Sequence, residues 1–187
     1  MKTVILDIDG VLADFGTHFL SYLDFEDKTP AKEWNDPRFI ENMHKIANDK
    51  NFWMTIPKLI TPDEIDFVVH SYVTARPLST HSWTQDWLDF HGFPNAKLIT
   101  VKKDKRPFLR GADLFIDDSI ENYEAAISVG QPAKLMTRSH NKNYITSDRI
   151  YSLKEIMLEE KLRELEEDGE PSGFLRAMLH QLRMPVC

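Results

Sequence analysis

Thr3-Val4-Ile5-Leu6-Asp7-Ile8-Asp9-Gly10-Val11-Leu12 is the stretch whose reading decides the fold. Three of its first four residues are β-branched, and the run is too short for a buried helix, so it predicts a strand. Alternation along the extended chain sets Asp7 and Asp9 on one side, at the strand's carboxyl end. Two close carboxylates repel, and such a pair calls for a shared proton or a cation. Gly10 permits the tight backbone that brings amide groups near an anion.

Working outward, further short β-rich runs recur at Phe67–Val73, Ala96–Thr100, Ala112–Ile116 and Ala133–Met136. Helical patterns lie between the later ones, at Ser79–His91 and at Ser119–Val129, the second stopped by Gly130. Strands alternating with helices imply right-handed crossovers and a mostly parallel sheet. The expected fold is α/β, a doubly wound core made of residues 1–14 and 67–151.

The first crossover is too long for one helix. Residues 15–66 carry helical patterns at Gly16–Leu23 and Phe39–Ala47, separated by Asp36-Pro37, and predict a small helical cap. An insertion there sits above the strands' carboxyl ends, where open α/β sheets bind ligands. Residues 152–187 change character. Leucines among glutamates over Ser152–Asp168, then Gly169-Glu170-Pro171 and a second apolar pattern opening at Ser172, predict a helical hairpin with Ser172 as its N-cap.

Composition bounds the function. The 187 residues are 42% hydrophobic, 11% aromatic and 28% charged, which describes a globular chain with a core to bury. A net charge of -7 weighs against a protein that wraps duplex nucleic acid, while leaving room for a small anionic substrate in a locally positive pocket. The single cysteine, Cys187, allows no intramolecular disulfide, which fits a reducing cytoplasm. No apolar run reaches the ~20 residues of a membrane span, and the N-terminal run is shorter than a secretory signal. A homodimer is compatible with this composition.

Chemistry-bearing residues recur at the other strand ends. Thr74-Ala75-Arg76 follows the second run, Asp117-Asp118 follows the fourth, and Lys105 stands before it, in Lys102-Lys103-Asp104-Lys105. Acids, a hydroxyl and a lysine thus gather at one edge of one parallel sheet.

These four segments resemble, in order, the four motifs of haloacid-dehalogenase-like (HAD) phosphatases. Within that superfamily the chain is most similar to the 5'(3')-deoxyribonucleotidases. The likeness is carried by Asp7-Ile8-Asp9-Gly10-Val11-Leu12-Ala13-Asp14-Phe15, Asn51-Phe52-Trp53, Asp104-Lys105, Ala112 to Asp118, and Ser139-His140-Asn141-Lys142. The resemblance implies a phosphomonoesterase in which Asp7 attacks phosphorus and Asp9 serves as acid and base, a strategy that splits one displacement into two easier ones. It implies Mg²⁺ held by the carboxylates of Asp7 and Asp118 and the backbone carbonyl of Asp9, with Asp117 acting through water. Thr74 and Lys105 would bind the phosphoryl group, with Lys102 and Lys103 as rivals for the lysine role. Phe15, Phe52 and Trp53 would form an apolar slot for a nucleobase. The implied substrate is a nucleoside monophosphate.

The chain also departs from that family. A serine and a proline are expected where Ala75-Arg76 stands, and Arg76 is read either as a bidentate phosphate ligand or as a surface ion pair. Trp34 is read as core or surface cover. Alternative activities are hydrolysis of another small phosphate ester or of a polynucleotide 3'-phosphate. An idle binding or regulatory module is the remaining reading, and it sits poorly with a complete acid, lysine and hydroxyl set.

Overall fold

The computed structural model describes residues 1–169 and 171–184. Cys187, and Glu170 of the expected turn, lie outside them. In chain order the elements are β1 (Thr3–Leu6), α1 (Phe15–Tyr22), α2 (Pro37–Ile46), α3 (Lys50–Met54), β2 (Val68–Thr74), α4 (His81–His91) and β3 (Lys97–Thr100). There follow β4 (Leu114–Asp117), α5 (Ile120–Ser128), β5 (Ala133–Met136), β6 (Arg149–Ile150), α6 (Lys154–Glu167) and α7 (Gly173–Arg183). The strands form one sheet in the order β3-β2-β1-β4-β5-β6, with every neighbouring pair parallel. This is the doubly wound α/β core expected from the alternation of strands and helices.

Side-chain alternation gives the sheet two buried faces. Ile5, Val73, Phe115 and Leu135 point to one, against Tyr123 and Ala126 of α5. Val4, Leu6, Tyr72 and Ile116 point to the other, against Trp87 and Leu88 of α4, Ile156 of α6, and the aromatic residues of the insertion between β1 and β2. Burying each such apolar side chain is worth about 1.5–3 kcal/mol, so both layers hold the sheet flanked and dry.

Local chemistry sets the helix starts. The Asp14 carboxylate accepts from the Thr17 N–H at 3.3 Å, Asp36 from Arg38 at 2.9 Å ahead of Pro37, and Asp49 from Asn51 at 3.0 Å. Ser119 accepts from the Asn122 N–H at 3.3 Å and starts α5 directly after the acids that end β4.

Several local features differ from the sequence reading. Helix α3 occupies a stretch for which the sequence reading gave no helix, because the Asp49 cap turns the short segment with Phe52 and Trp53 inward. Strand β6 is two residues long, too short to leave a pattern. Ser172 stands at the N-cap of α7, but its hydroxyl accepts from the Arg176 side chain at 3.2 Å rather than from a backbone N–H. The expected hairpin is present as α6 packed on α7, tied by Arg183 to Glu155 at 2.7 Å.

The order of strands positions the site. β1 leads to β2 on one side and β4 leads to β5 on the other, so the strand order reverses between β1 and β4, the switch point where such sheets bind ligands. The residues following β1, the end of β2 and the end of β4 therefore meet above one edge.

Candidate active site

Asp7 follows β1, Thr74 ends β2, and Asp117 ends β4 with Asp118 next. The loop before β4 brings Lys105 in from the side. Its ammonium lies 2.8 Å from Asp7 Oδ1 and 2.7 Å from Asp117 Oδ2, and the side chain is almost wholly buried. Burial pulls the Lys105 ammonium down from its ordinary range, but Asp117 and Asp7 outweigh that and hold it charged, above its usual value. Burial pushes the Asp7 carboxyl well above the usual carboxylate range, with Lys105 opposing and Asp117 and Asp118 adding to the rise. Burial raises Asp118 too, opposed by His140.

The two acids after β4 are divided by their partners. Asp117 is saturated: it takes Lys105, the Ser119 N–H at 2.8 Å and the Asn122 amide at 3.1 Å. Asp118 is fully buried, and among the described residues neither of its carboxylate oxygens accepts a hydrogen bond. His140 Nε2 stands 3.2 Å from Asp118 Oδ2 and engages the Asp118 carbonyl oxygen at 3.0 Å, where the Asn141 amide also donates at 2.8 Å.

One carboxylate oxygen from each of Asp7, Asp117 and Asp118 lies within 4.8 Å of the others. A buried carboxylate with empty acceptor positions, beside a second acid, fits a hard divalent cation. The chemistry of the donors fits Mg²⁺, which takes oxygen ligands. Asp7 and Asp118 are the carboxylates with capacity to hold it, whereas Asp117 is spent on Lys105.

Asp9 and Arg76 form a closed pair. Arg76 Nη2 lies 2.6 Å from Asp9 Oδ1, and Nε lies 2.9 Å from Oδ2. The guanidinium therefore faces Asp9 and not the surface. Thr74 Oγ1 accepts from the Arg76 N–H at 3.2 Å, which fixes the turn after β2.

A cavity of about 280 Å³ opens above these groups, at the small end of the ~300–1,000 Å³ range of ligand sites. Of the residues expected at the site, Asp7, Asp9, Thr74, Arg76, Lys105, Asp118, Phe15 and Trp53 line it. Phe52 does not. It is fully buried in the insertion, edge-on to Phe15, Phe19, Tyr22 and Trp53, and serves as core there.

Sequence reasoning missed part of the wall. Trp34, read as cover, lines the cavity mouth together with Phe39, Ile40 and Met43, while Ser119 and Asn122 line its floor side. Ile40 and Met43 are three apart on α2, a helical spacing that was legible, but spacing does not say which helix face meets a cavity. Arg138 was missed as well. Its Nε donates to the Gly10 carbonyl at 2.5 Å, pinning the loop after β1.

The fold and this acid–lysine edge define a haloacid-dehalogenase-like hydrolase. Solved structures share the fold at low identity. A HAD-superfamily hydrolase, subfamily IA, variant 1, from Geobacter sulfurreducens PCA superposes with TM-score 0.52 at 17% identity, over 84% of this chain and 95% of that one. An L-2-haloacid dehalogenase gives 0.53 at 11%, over 83% and 97%. A haloacid dehalogenase-like family protein from Streptococcus pneumoniae gives 0.52 at 12%, over 84% and 97%. No curated protein matches the sequence. Residues 1–162 match the family model described as 5' nucleotidase, deoxy (pyrimidine), cytosolic type C protein, and the chain belongs to that family. Among the described residues no helix is long and apolar enough to cross a membrane.

Proposed function

We propose that the chain is a Mg²⁺-dependent 5'-nucleotidase that hydrolyses (deoxy)nucleoside monophosphates through a phosphoryl group carried on Asp7. The observation that carries this reading is the buried pair of Lys105 and Asp7, 2.8 Å apart, in a cavity also lined by Phe15, Trp34, Phe39 and Trp53.

In the first step an Asp7 carboxylate oxygen bonds to phosphorus while the bond from phosphorus to the ester oxygen breaks. The electron pair leaves with that oxygen, which takes a proton from the Asp9 carboxyl. In the second step Asp9, now a carboxylate, removes a proton from water as the water oxygen bonds to phosphorus. The bond to Asp7 breaks and inorganic phosphate leaves. Phosphoryl transfer depends on positioning and charge neutralisation more than on covalent help. Lys105 supplies fixed positive charge beside Asp7, and the Thr74 hydroxyl donates to a phosphoryl oxygen. When bound, Mg²⁺ on Asp7, Asp118 and the Asp9 carbonyl neutralises charge on the transferring group.

The insertion, residues 15–66, acts as a cap over the edge. Phe15 and Trp53 from its two ends, with Trp34, Ile40 and Met43, form the slot for a base. Their walls offer stacking and apolar contact, which every nucleobase can use.

A phosphate-release screen tests the reading across nucleoside 5'-monophosphates, sugar phosphates and a 3'-phosphorylated oligonucleotide. The expected result is the highest kcat/KM on a nucleoside monophosphate. Preference for the sugar phosphate or the oligonucleotide would replace the substrate assignment.

A further inference from the structure

We infer that Arg76 is the positioning residue for Asp9, and that through Trp53 it ties the acid–base group to the insertion. The inference rests on the proposed acid–base role of Asp9 and adds the residue that aims it.

Three contacts define what Arg76 can do. Its side chain is fully buried, 0% exposed, with Nη2 and Nε spanning both Asp9 oxygens at 2.6 and 2.9 Å. The guanidinium carbon lies 5.1 Å from the ring centre of Trp53 in α3 and 5.6 Å from that of Trp87 in α4. The remaining nitrogen reaches Thr84 Oγ1 at 3.4 Å. Protein groups thus surround the guanidinium, and a phosphate could take the fork only by displacing Asp9. That sets Arg76 apart from Lys105, which faces the nucleophile.

The arrangement acts by geometry. An acid–base carboxyl must stand within about 2.6–3.2 Å of the oxygen it protonates, and a free aspartate samples several rotamers. A planar fork holds the carboxylate in one of them. One indole comes from the insertion and the other from the core, so the insertion must be seated for the fork to be held on both sides. Asp9 is therefore aimed when the cap is in place over the substrate.

Leaving-group chemistry separates this role from phosphate binding and from packing. The 5'-oxygen of a nucleotide leaves as a poor anion and needs the proton from Asp9. The p-nitrophenolate of p-nitrophenyl phosphate is a stable anion and hardly needs it. Arg76→Ala, Arg76→Lys and Asp9→Asn are each assayed on both substrates, with thermal melting to verify folding. Arg76→Ala is expected to lower kcat/KM, which reads only as far as release of the leaving group, by roughly 10²-fold for a nucleoside monophosphate, with that for p-nitrophenyl phosphate falling less than ~5-fold. kcat also contains the second step, in which Asp9 is the base for either substrate, and should fall on both. Added guanidinium ion is expected to recover part of the nucleotide rate in Arg76→Ala. If Arg76→Ala does not fold, Arg76→Lys keeps the charge without the fork and is expected to show the same unequal loss. Equal losses of kcat/KM on both substrates would overturn the inference. Asp9→Asn separates the two levels. If it too fails to discriminate between the substrates in kcat/KM, the acid role of Asp9 fails; if it discriminates and the Arg76 variants do not, only the positioning role fails.

Discussion

Gly10 and Asp118 are packed so closely that no side chain fits between them. A β-carbon built on Gly10 would lie 1.7 Å from Asp118 Oδ2 and 2.2 Å from its carboxyl carbon. Gly10 also holds φ at +79°, a region that side chains other than glycine enter at a cost of about 1–2 kcal/mol. The loop after β1 and the acid after β4 therefore depend on each other, and Asp118 keeps its place only while position 10 is bare.

Gly10→Ala should displace the Asp118 carboxylate and weaken cation binding. The Mg²⁺ concentration for half-maximal activity is expected to rise by about 10- to 100-fold, the usual cost of disturbing the groups that orient a metal ligand. A Mg²⁺ titration on folded protein measures it. An unchanged Mg²⁺ demand would show that Asp118 does not hold the cation.

Cation dependence can be read both with and without turnover. A chelator should abolish phosphate release and added Mg²⁺ should restore it, with Ca²⁺ a poor substitute because its larger, looser shell misplaces the attacking carboxylate. Mg²⁺ should also raise the melting temperature, as any ligand of the native state does. Asp118→Asn should remove that rise. Full activity in chelator would contradict the cation assignment.

Aromatic residues of the insertion should divide into two kinds. Phe52→Ala opens a hole in a fully buried cluster and should cost about 3–5 kcal/mol of stability, lowering activity on nucleotide and aryl phosphate alike. Trp34 is 39% exposed at the cavity mouth, so Trp34→Ala should leave the melting temperature nearly unchanged. It should cut kcat/KM for a nucleoside monophosphate by about 5- to 150-fold, the loss of one stacked base, and spare p-nitrophenyl phosphate. Equal loss on both substrates in Trp34→Ala would remove the mouth from the base subsite.

The core was legible because its signals are local. β1 to β5 are short β-rich runs, and α1, α2, α3 and α5 each start at a capping oxygen, so the alternation and the parallel sheet followed from the chain alone. The convergence of Asp7, Thr74 and Asp118 was legible for the same reason, since residues after parallel strands share an edge. What escaped depends on contacts across the fold. Only the family resemblance, and nothing local, separated Asp117, bound to Lys105, from Asp118, which accepts no hydrogen bond among the described residues. Nothing local tells Phe52, turned into the insertion's core, from Trp34 at the mouth. The Arg76–Asp9 pair joins residues 67 positions apart and replaces both readings that the sequence left open for Arg76.

The central claim is that phosphorus is transferred to Asp7, and trapping the phosphoryl enzyme tests it most directly. Wild-type protein mixed briefly with a phosphorus-labelled nucleoside monophosphate is quenched in acid, digested and mapped. The label is expected on the peptide containing Asp7 and absent from Asp7→Asn, whose kcat should fall at least ~10³-fold with the fold intact. Label on a peptide lacking Asp7, or turnover near the wild-type rate in a folded Asp7→Asn variant, would contradict the account.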